Sequence, residues 1–450
     1  MTANIINMPS ILILGAGRSS SALISYLLNF GAASAIDITV GDVSLEAARE
    51  RLAGSPHGKA IRFDINNTDE SRKAIAQSSV VVSLIPAHLH PSVAKICLET
   101  GSHLLTASYV SDEMKGFDST ARSKSLLFLN ECGLDPGIDH MSAMQVMDRI
   151  RSSGGKITSF ESFTGGLIAP ETDVENPWRY KFTWNARNVV MAGQSTAKFL
   201  SNGQYKYIPY QQLFSRITPV TVPGYGEYEG YANRDSLKYL ETYGLHDVTT
   251  MLRGTLRNKG FCGAWNVLVQ LGCCEDTYEM EQVASMTHKG FMNSFVNTGK
   301  GVTLQSALAR TCGVELSGGE IQRLTWSGLF SEEKIGLGKG TPAQILEHVL
   351  NKKWKLQPND KDLVVMWHRF GYELHGVSKK IEASLVAKGH DSVNTAMART
   401  VGLPLGIAAK LLIQEKIKER GVVIPVSKDI YEPVLSELKS LGIELTEREA

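Results

Sequence analysis

Two glycines and the helix predicted to follow them have the types and spacing that suit binding of a phosphate group. Gly15 and Gly17 follow the apolar run Ile11–Leu14 and allow a tight turn that a ligand can approach closely. The helix predicted to start at Ser19 would point free N–H groups and its positive dipole end at that turn. Ser20 stands where the third glycine of the pattern G-x-G-x-x-G usually lies, so the match is incomplete. Gly-x-Gly alone also marks ordinary turns, but the order strand, glycine turn, helix predicts a dinucleotide site.

An acidic residue lies near the position that binds the adenosine ribose in such sites. Asp42 follows a second predicted strand, 22 residues beyond Ser20. A carboxylate there would accept hydrogen bonds from the ribose hydroxyls and repel a 2′-phosphate, so it favours NAD over NADP. The alternative is that Asp42 only caps the helix predicted from Ser44 to Arg51.

A phenol and a carboxylate are candidates to contact the substrate of such a cofactor. Tyr109 follows a predicted strand, where its side chain would face the cofactor cleft. The alternative is a partly buried tyrosine whose hydroxyl is satisfied within the protein. Asp135 lies in a turn before Pro136, where an aspartate often bonds only its own backbone.

Three arginines are candidates to bind an anionic substrate. Arg253 and Arg257 are four residues apart, and they are either solvated strand positions or a fork that binds carboxylates bidentately. Arg234 is a further candidate, with simple pairing to the adjacent Asp235 as its alternative.

Strands and helices alternate through residue 130, which indicates a doubly wound parallel sheet of the Rossmann type. The predicted strands after the glycine turn are Ile36–Val40, Ala60–Asp64, Val80–Ile85, His103–Ala107 and Ser125–Asn130. Ligands of such sheets bind outside the carboxyl ends of the strands. Those ends hold Ala16 to Ser19, Asp42, Asp64, Ile85 with Pro86, Ala107 to Tyr109 and the residues from Glu131 onward.

The pattern changes after residue 130. Residues 131–260 are predicted to form a second α+β domain, in which Tyr180–Trp184 is strand-like, and residues 261–355 show a helical pattern. Strands return at Leu363–Phe370 and Lys380–Val386, before a long apolar helix from Asn394 to Ile417. Predicted helix boundaries are Gly31 and Gly101 as ends, and Pro91 and Thr341-Pro342 as starts.

Composition indicates an ordinary globular protein of 450 residues, long enough for two or three domains. Its 47 basic and 46 acidic side chains nearly cancel, so no footprint for nucleic acid or a membrane surface appears. No apolar run approaches the ~20 residues that span a bilayer, and no signal-peptide pattern precedes the first strand. The six cysteines form no C-x-x-C pair, which favours reduced thiols in the cytoplasm. His88 and His90 lack further residues to complete a metal site, and no nucleophile elbow is present.

An ordered series of segments over almost the full chain resembles the glutamate-forming saccharopine dehydrogenases, or saccharopine reductases. The segments are Val82–Pro86, Ser108–Ser111, Asn130–His140, Gly165–Leu167, Asn176-Pro177, Tyr180–Phe182, Tyr231–Ser236, Arg253–Arg257, Met397-Ala398 and Val401-Gly402. The series as a whole is specific, whereas any one segment alone would not be.

The resemblance implies reversible, NAD(P)-dependent interconversion of saccharopine with glutamate plus 2-aminoadipate 6-semialdehyde, by hydride transfer to or from an imine. It implies a homodimer with three domains: residues 1–130 with about 390–450 (Rossmann), 131–260 with about 356–389 (substrate and dimer), and 261–355 (helical). Cofactor contacts of the family match Gly15, Ala16, Gly17, Arg18, Ser19, Asp42, Val43, Ser44, Asp64, Ile65, Ile85, Ala107, Ser108, Leu134, Asp135, Pro136 and Asn185. Substrate contacts match Ser108, Tyr109, Asp135, Arg234, Thr255, Leu256 and Arg257.

The chemistry of this reaction suits the residues that match. Saccharopine carries three carboxylates, which Arg234 and Arg257 could hold. Imine formation requires proton transfers, for which Tyr109 and Asp135 are the catalytic candidates. We expect these two residues to position and polarise the substrate, and we do not expect either of them to be a single indispensable base.

The sequence departs from the family at three positions. Fungal members carry an Arg two residues before the second helix, whereas Asp42-Val43-Ser44 lacks it, which leaves both NADP and NAD open. Thr164 replaces a cysteine, so a thiol role is not carried over. Arg18 replaces an aromatic residue and could contact a phosphate directly. The alternative functions are a related reductive condensation of the carboxynorspermidine type and a non-catalytic dinucleotide-binding protein.

Overall fold

The structure is a computed structural model that describes residues 9–192 and 194–449. The chain forms two compact units. The first comprises Met1–Ser153 and Val393–Leu445, and the second comprises Gly154–Ser392 and Thr446–Ala450. The division into three domains that the resemblance implies stays a prediction.

The first unit begins with alternating strands and helices. They are β1 (Ser10–Leu14), α1 (Ser21–Ser34), β2 (Asp37–Asp42), α2 (Leu45–Leu52), β3 (Gly58–Arg62), α3 (Thr68–Ala76), β4 (Val80–Ser83), α4 (His90–Thr100), β5 (His103–Thr106), α5 (Asp112–Lys115), α6 (Asp118–Ser123), β6 (Leu127–Leu129) and α7 (Ile138–Ser152). The start of α4 near Pro91 and its end before Gly101 confirm the predicted boundaries.

The second unit contains most of the following elements. They are β7 (Lys156–Ile168), α8 (Ala186–Val190), β8 (Ala197–Ser201), β9 (Gln204–Ile208), α9 (Tyr210–Leu213), β10 (Thr218–Val222), β11 (Gly226–Ala232), α10 (Tyr239–Thr242), β12 (Thr250–Asn258), α11 (Phe261–Leu271), α12 (His288–Asn293), α13 (Leu304–Cys312), α14 (Gly319–Trp326), α15 (Pro342–Trp354), β13 (Asp362–Leu374) and β14 (Val377–Lys388). The chain then adds α16 (Ala396–Ile413), β15 (Gly421–Val423) and α17 (Lys428–Ser440) to the first unit, and β16 (Thr446–Glu449) to the second.

The first unit is built on a parallel sheet of seven strands in the order β15-β6-β5-β4-β1-β2-β3. This confirms the doubly wound Rossmann-type sheet. The seventh strand, β15, comes from the end of the chain and pairs with β6. At three residues it is too short to show a periodic pattern, so sequence reasoning missed it.

Glycines in α1 and α16 serve close packing. The prediction that the first helix ends at Gly31 is wrong, because α1 continues to Ser34. Gly31 is buried, and a Cβ atom there would lie 2.7 Å from the Ile36 carbonyl oxygen. Gly402 in α16 likewise approaches α1, since a Cβ atom would lie 3.0 Å from the backbone nitrogen of Leu23.

Helix α16 is long and apolar enough to cross a membrane, judged by length and composition alone. Of its 18 residues, 78% are buried inside the fold, and the core helix of a soluble protein passes the same test. Among the described helices it is the single candidate, and its packing against α1 accounts for its apolar character.

The second unit is built on a mixed sheet of nine strands. The main order is β10-β11-β12-β7-β13-β14-β16, and β8 joins β12 to β9. Strands β12 and β7 run parallel, and the other pairs are antiparallel. A cluster of buried hydrophobic side chains joins this sheet to the helices α11 to α15, and within it Trp354 lies 5.1 Å from the ring centroids of both Trp178 and Tyr180. The predicted helix start at Thr341-Pro342 is confirmed by a capping box on Thr341.

The strand expected at Tyr180–Trp184 is absent, because side chains rather than a neighbouring strand hold this irregular segment. The amide of Asn176 donates to the Tyr180 carbonyl at 3.0 Å. The buried Lys181 ammonium lies 2.7 Å from a carboxylate oxygen of Asp360 and 3.0 Å from one of Asp173.

Candidate active site

The glycine turn lies at the carboxyl end of β1. Gly15 has φ of 102°, and a Cβ atom there would lie 3.1 Å from the backbone of Leu84. Gly17, in contrast, has open space where a side chain would be. A 3-10 turn at Arg18–Ser20 leads into α1, and the Ser20 hydroxyl donates to the Gly17 carbonyl at 2.8 Å. Ser20 thus closes the turn with its own side chain, and the space at Gly17 fits a bound phosphate.

The Asp42 carboxylate holds the turn from the end of β2. One oxygen accepts from the Ala16 N–H at 2.8 Å, and the other accepts from the Ser44 N–H at 2.9 Å. Ser44, not Asp42, caps α2, since its hydroxyl accepts from the Ala47 N–H at 3.2 Å. The Arg51 guanidinium donates to the Ala16 carbonyl at 3.1 Å. Val43 is exposed beside this cluster.

Tyr109 and Asp135 come together across two loops. The Tyr109 hydroxyl donates to the Asp135 carboxylate at 3.2 Å, and both residues are half-buried. The Glu131 N–H donates to the Ser108 carbonyl at 3.1 Å, which joins the two loops. Gly133 permits this approach, because a Cβ atom there would lie 2.8 Å from that of Ala107. A phenol paired with a carboxylate can pass a proton between them.

A buried histidine that sequence reasoning considered only as a metal ligand lies beneath Ser108. The His90 Nε2 atom is 2.9 Å from the Ser108 hydroxyl and 3.0 Å from the Thr106 hydroxyl, and Nδ1 is 3.1 Å from the Ser83 hydroxyl. Burial, with His88 nearby, lowers the pKa of His90 to about 4, so the ring is neutral near pH 7. The position of His90 just before Pro91 in the sequence does not indicate that the ring packs among these hydroxyl groups.

The other predicted cofactor residues of the first unit lie in loops at the carboxyl ends of its strands. Asp64 accepts from the Asn66 N–H at 3.0 Å in the turn after β3, next to the buried Ile65. Ile85 follows β4, while Leu134 and Pro136 flank Asp135. Asn185 lies in the second unit, where its side chain caps α8 by accepting from the Asn188 N–H at 3.1 Å. These cofactor roles stay predictions.

Strand β12 in the second unit presents alternating faces. Arg253, Thr255 and Arg257 share one face because side chains of a strand alternate, and Leu256 lies on the other. Gly254 makes room for the Phe163 ring, since a Cβ atom there would lie 2.3 Å from it. Arg253 and Arg257 are both buried, so the alternative that they are solvated positions is wrong.

Arg257 is a buried cation inside a cage of aromatic rings. The side chain is only 4% exposed, and its Cζ atom lies 5.0 Å from the ring centroid of Tyr180, 5.2 Å from that of Phe261 and 5.7 Å from that of Tyr231. One guanidinium N–H donates to the Leu256 carbonyl at 2.9 Å, whereas Nε has no partner. No carboxylate of the described residues pairs with Arg257. A buried, uncompensated guanidinium favours binding of an anion.

Arg234 is exposed in the loop just after β11, with φ of 50°. Its carbonyl accepts from the Lys198 N–H at 2.7 Å, and Lys198 Nζ lies 3.4 Å from the Asp235 carboxylate. The preceding Asn233 N–H donates to the Arg253 carbonyl at 2.9 Å, which fixes this loop beside β12.

Comparison with known proteins finds relatives along the whole chain. Residues 11–129 match the family model of the saccharopine dehydrogenase NADP binding domain, and residues 133–443 match that of the saccharopine dehydrogenase C-terminal domain. The saccharopine dehydrogenase (NADP(+), L-glutamate-forming) of Pyricularia oryzae is 31% identical over 98% of each chain. The apo saccharopine dehydrogenase (L-Glu forming) of Saccharomyces cerevisiae has a TM-score of 0.87 at 30% identity, over 98% of this chain and all of that chain.

Some relatives are much longer. The alpha-aminoadipic semialdehyde synthase of Arabidopsis thaliana is 34% identical over 97% of this chain, but the match covers 44% of its own length. The chain therefore spans less than half the length of that relative.

Proposed function

The chain belongs to the saccharopine dehydrogenase family, and we propose on that premise that it interconverts saccharopine with glutamate and 2-aminoadipate 6-semialdehyde. The reaction belongs to oxidoreductases that act on a CH–NH group, in lysine metabolism. The observation that carries the proposal is Arg257, whose buried guanidinium has no carboxylate partner among the described residues and suits a substrate with three carboxylates.

The first unit supplies the proposed dinucleotide site. The space at Gly17, the N–H groups before α1 and the exposed Arg18 fit the phosphates, and Asp42 fits the adenosine ribose. When bound, the nicotinamide gives or takes the hydride of the reaction. The other proposed contacts are Ser19, Val43, Ser44, Asp64, Ile65, Ile85, Ala107, Ser108, Leu134, Pro136 and Asn185.

A separate proposal concerns which of the two dinucleotides, NAD or NADP, the protein prefers. The chain carries an NADP binding domain by family, and its fungal relatives are named for NADP(+). Asp42 supports a shift toward NAD, because its carboxylate would repel a 2′-phosphate bound at the end of β2.

Tyr109 and Asp135 are proposed to handle protons and orientation at the reacting carbon and nitrogen. Their hydrogen bond of 3.2 Å supports a role in which the phenol polarises the substrate while the carboxylate holds the phenol. Arg234, Thr255 and Leu256 are proposed substrate contacts beside Arg257, and Arg234 offers a second guanidinium for a multi-carboxylate substrate. A homodimer and a cytoplasmic location stay predictions.

The experiment that tests the proposal is a spectrophotometric assay with saccharopine, run separately with NAD and with NADP. We expect reduction of at least one dinucleotide. If a direct measurement shows that the protein binds a dinucleotide but saccharopine reduces neither NAD nor NADP, the proposed reaction is wrong. Turnover of a polyamine precursor instead would favour the related reductive condensation.

A further inference from the structure

Several buried polar atoms of the second unit have no hydrogen-bond partner, and four of them belong to Arg257, to Tyr180, whose ring contacts Arg257, and to two threonines. Buried polar atoms in proteins are nearly always satisfied, so a group of exceptions calls for an explanation. The atoms are Arg257 Nε and the hydroxyl oxygens of Thr164, Tyr180 and Thr183. Thr164 pairs in register with Thr255, on the same strand as Arg257.

Tyr180 is the member of this group that directly contacts Arg257. It is 1% exposed, and its ring centroid lies 5.0 Å from the Arg257 Cζ atom. Its backbone is fixed on both sides, because the Asn176 amide donates to the Tyr180 carbonyl and the Asn258 amide donates to the Arg179 carbonyl at 2.9 Å. The ring is thus held in place, while its hydroxyl makes no hydrogen bond of normal geometry.

The Tyr180 hydroxyl makes no hydrogen bond of normal geometry, and Trp184 is the side chain that approaches it as a donor. Phenylalanine would fill the same aromatic cluster with Phe182, Phe261 and Trp354. A buried hydroxyl without a partner lowers the stability of the folded protein, since it loses its bonds to water on folding. Burial raises the pKa of Tyr180, which keeps the phenol protonated and able to donate beside the cation.

We propose that Tyr180 is a further substrate-binding residue, whose hydroxyl donates a hydrogen bond to the same substrate carboxylate that Arg257 holds. The cation and the phenol would together satisfy one carboxylate. Arg257 would provide the positive charge, and Tyr180 would provide a hydrogen bond that fixes the orientation of the carboxylate. This inference rests on the proposed function, since it names a further contact for that substrate.

The test is Tyr180→Phe in the full chain, assayed with saccharopine and the dinucleotide that the wild type uses. We expect KM for saccharopine to rise about 10- to 100-fold, as for loss of a hydrogen bond to a charged group. We expect kcat within about twofold of wild type, an unchanged Kd for the dinucleotide, and a melting temperature equal to or above that of wild type. A purely structural tyrosine would lower the melting temperature instead.

Tyr210→Phe is the matched control. Tyr210 is also buried with a hydroxyl that makes no hydrogen bond of normal geometry, but it is not among the rings around Arg257. The KM of the Tyr210→Phe variant for saccharopine should stay at the wild-type value. A double variant with Arg257→Met should raise KM by less than the product of the two single effects, because both residues contact one carboxylate.

The outcomes separate the inference from the proposed function. If the wild type oxidises saccharopine and Tyr180→Phe leaves KM unchanged, the inference is overturned and the proposed function stands. Equal KM increases in Tyr180→Phe and Tyr210→Phe also overturn it. If the wild type binds dinucleotide but does not oxidise saccharopine, both the proposed function and this inference are overturned.

Discussion

Arg257 and Arg369 are both arginines, but their surroundings suit Arg257 to substrate binding and Arg369 to stability of the fold. Arg257 is enclosed by aromatic rings with no carboxylate partner among the described residues. Arg369 instead donates to Glu382 at 3.0 Å and lies 3.3 Å from a carboxylate oxygen of Glu161. Removing a charge that has no carboxylate partner leaves no opposite charge buried alone, whereas removing one partner of an ion pair leaves a buried charge behind.

Arg257→Met should therefore raise KM for saccharopine by about 30-fold or more, the rough cost of truncating one partner of a buried charge pair. Its melting temperature should not fall. Arg369→Met should do the reverse, lowering the melting temperature because Glu382 loses a partner, with KM near wild type. Steady-state kinetics and thermal unfolding of both variants check this. A shared loss of stability with unchanged KM would argue against Arg257 as a substrate residue.

Arg234→Ala should raise KM for saccharopine strongly while the Kd of the dinucleotide stays near normal. The residue lies on the loop after β11 in the second unit, whereas the glycine turn lies in the first. Fluorescence titration of the dinucleotide gives the Kd. Equal losses of affinity for both ligands would contradict the assignment of Arg234 to the substrate.

The charge of Asp42 leads to a prediction about the preference between NAD and NADP. Asp42→Asn keeps an acceptor for one of the two N–H groups at the turn but removes the charge that opposes a 2′-phosphate. We expect the ratio of kcat/KM for NADP to that for NAD to rise roughly tenfold or more. Asp37→Asn, at the exposed opposite end of β2, is the control and should leave the ratio unchanged. The same ratio in wild type and Asp42→Asn would exclude Asp42 as the selecting residue.

At the scale of elements, the glycines of the first unit have two different tasks. Gly402 lets α16 approach α1, so a side chain there meets backbone atoms of Leu23 at 3.0 Å. Gly17 faces open space at the end of β1 and has an extended backbone with φ of −72°. The first glycine serves packing between helices, and the second keeps space for a ligand.

The same substitution at the two glycines should give opposite results. Gly402→Val should lower the free energy of unfolding by about 1–3 kcal/mol, as overpacking of a core does. Gly17→Val should leave that free energy near wild type but weaken dinucleotide binding at least about tenfold, because its side chain would occupy the space for the phosphate. Denaturant unfolding and dinucleotide titration of both variants test this. Unimpaired binding by Gly17→Val would place the phosphates elsewhere.

At the scale of the whole molecule, the chain leaves the first unit after Ser153 and returns to it at Val393. The returning segment supplies α16 and the seventh strand, β15. The stability of the first unit therefore depends on residues far apart in sequence. It also depends on His90, which is buried among hydroxyl groups near the carboxyl edge of the sheet.

Stability should fall as the pH drops from about 6.5 to about 4. The pKa of His90 is lowered to about 4 in the folded protein, chiefly by burial, whereas an unfolded histidine has a pKa of about 6.5. In this interval the unfolded chain binds a proton that the folded protein does not, so folding loses up to about 3 kcal/mol from His90. His103, whose pKa burial also lowers to about 4, adds to the effect.

His90→Gln removes the titrating group and keeps a hydrogen-bonding side chain. Its free energy of unfolding should change less between pH 6.5 and 4.5 than that of the wild type, measured by denaturant unfolding at each pH. Identical slopes in the two proteins would show that other groups dominate the acid response.

Local patterns in the sequence were enough to predict the glycine turn, the alternating strands and helices around it, the helix start at Thr341 and the Rossmann-type sheet. These features depend on backbone preferences and hydrophobic periodicity over a few residues. Tertiary structure alone decided that Gly31 lies inside α1, that β15 completes the sheet, that His90 lies under Ser108 and that Tyr180 meets Arg257. Each of these depends on contacts between residues distant in sequence or on burial, which a local pattern does not contain.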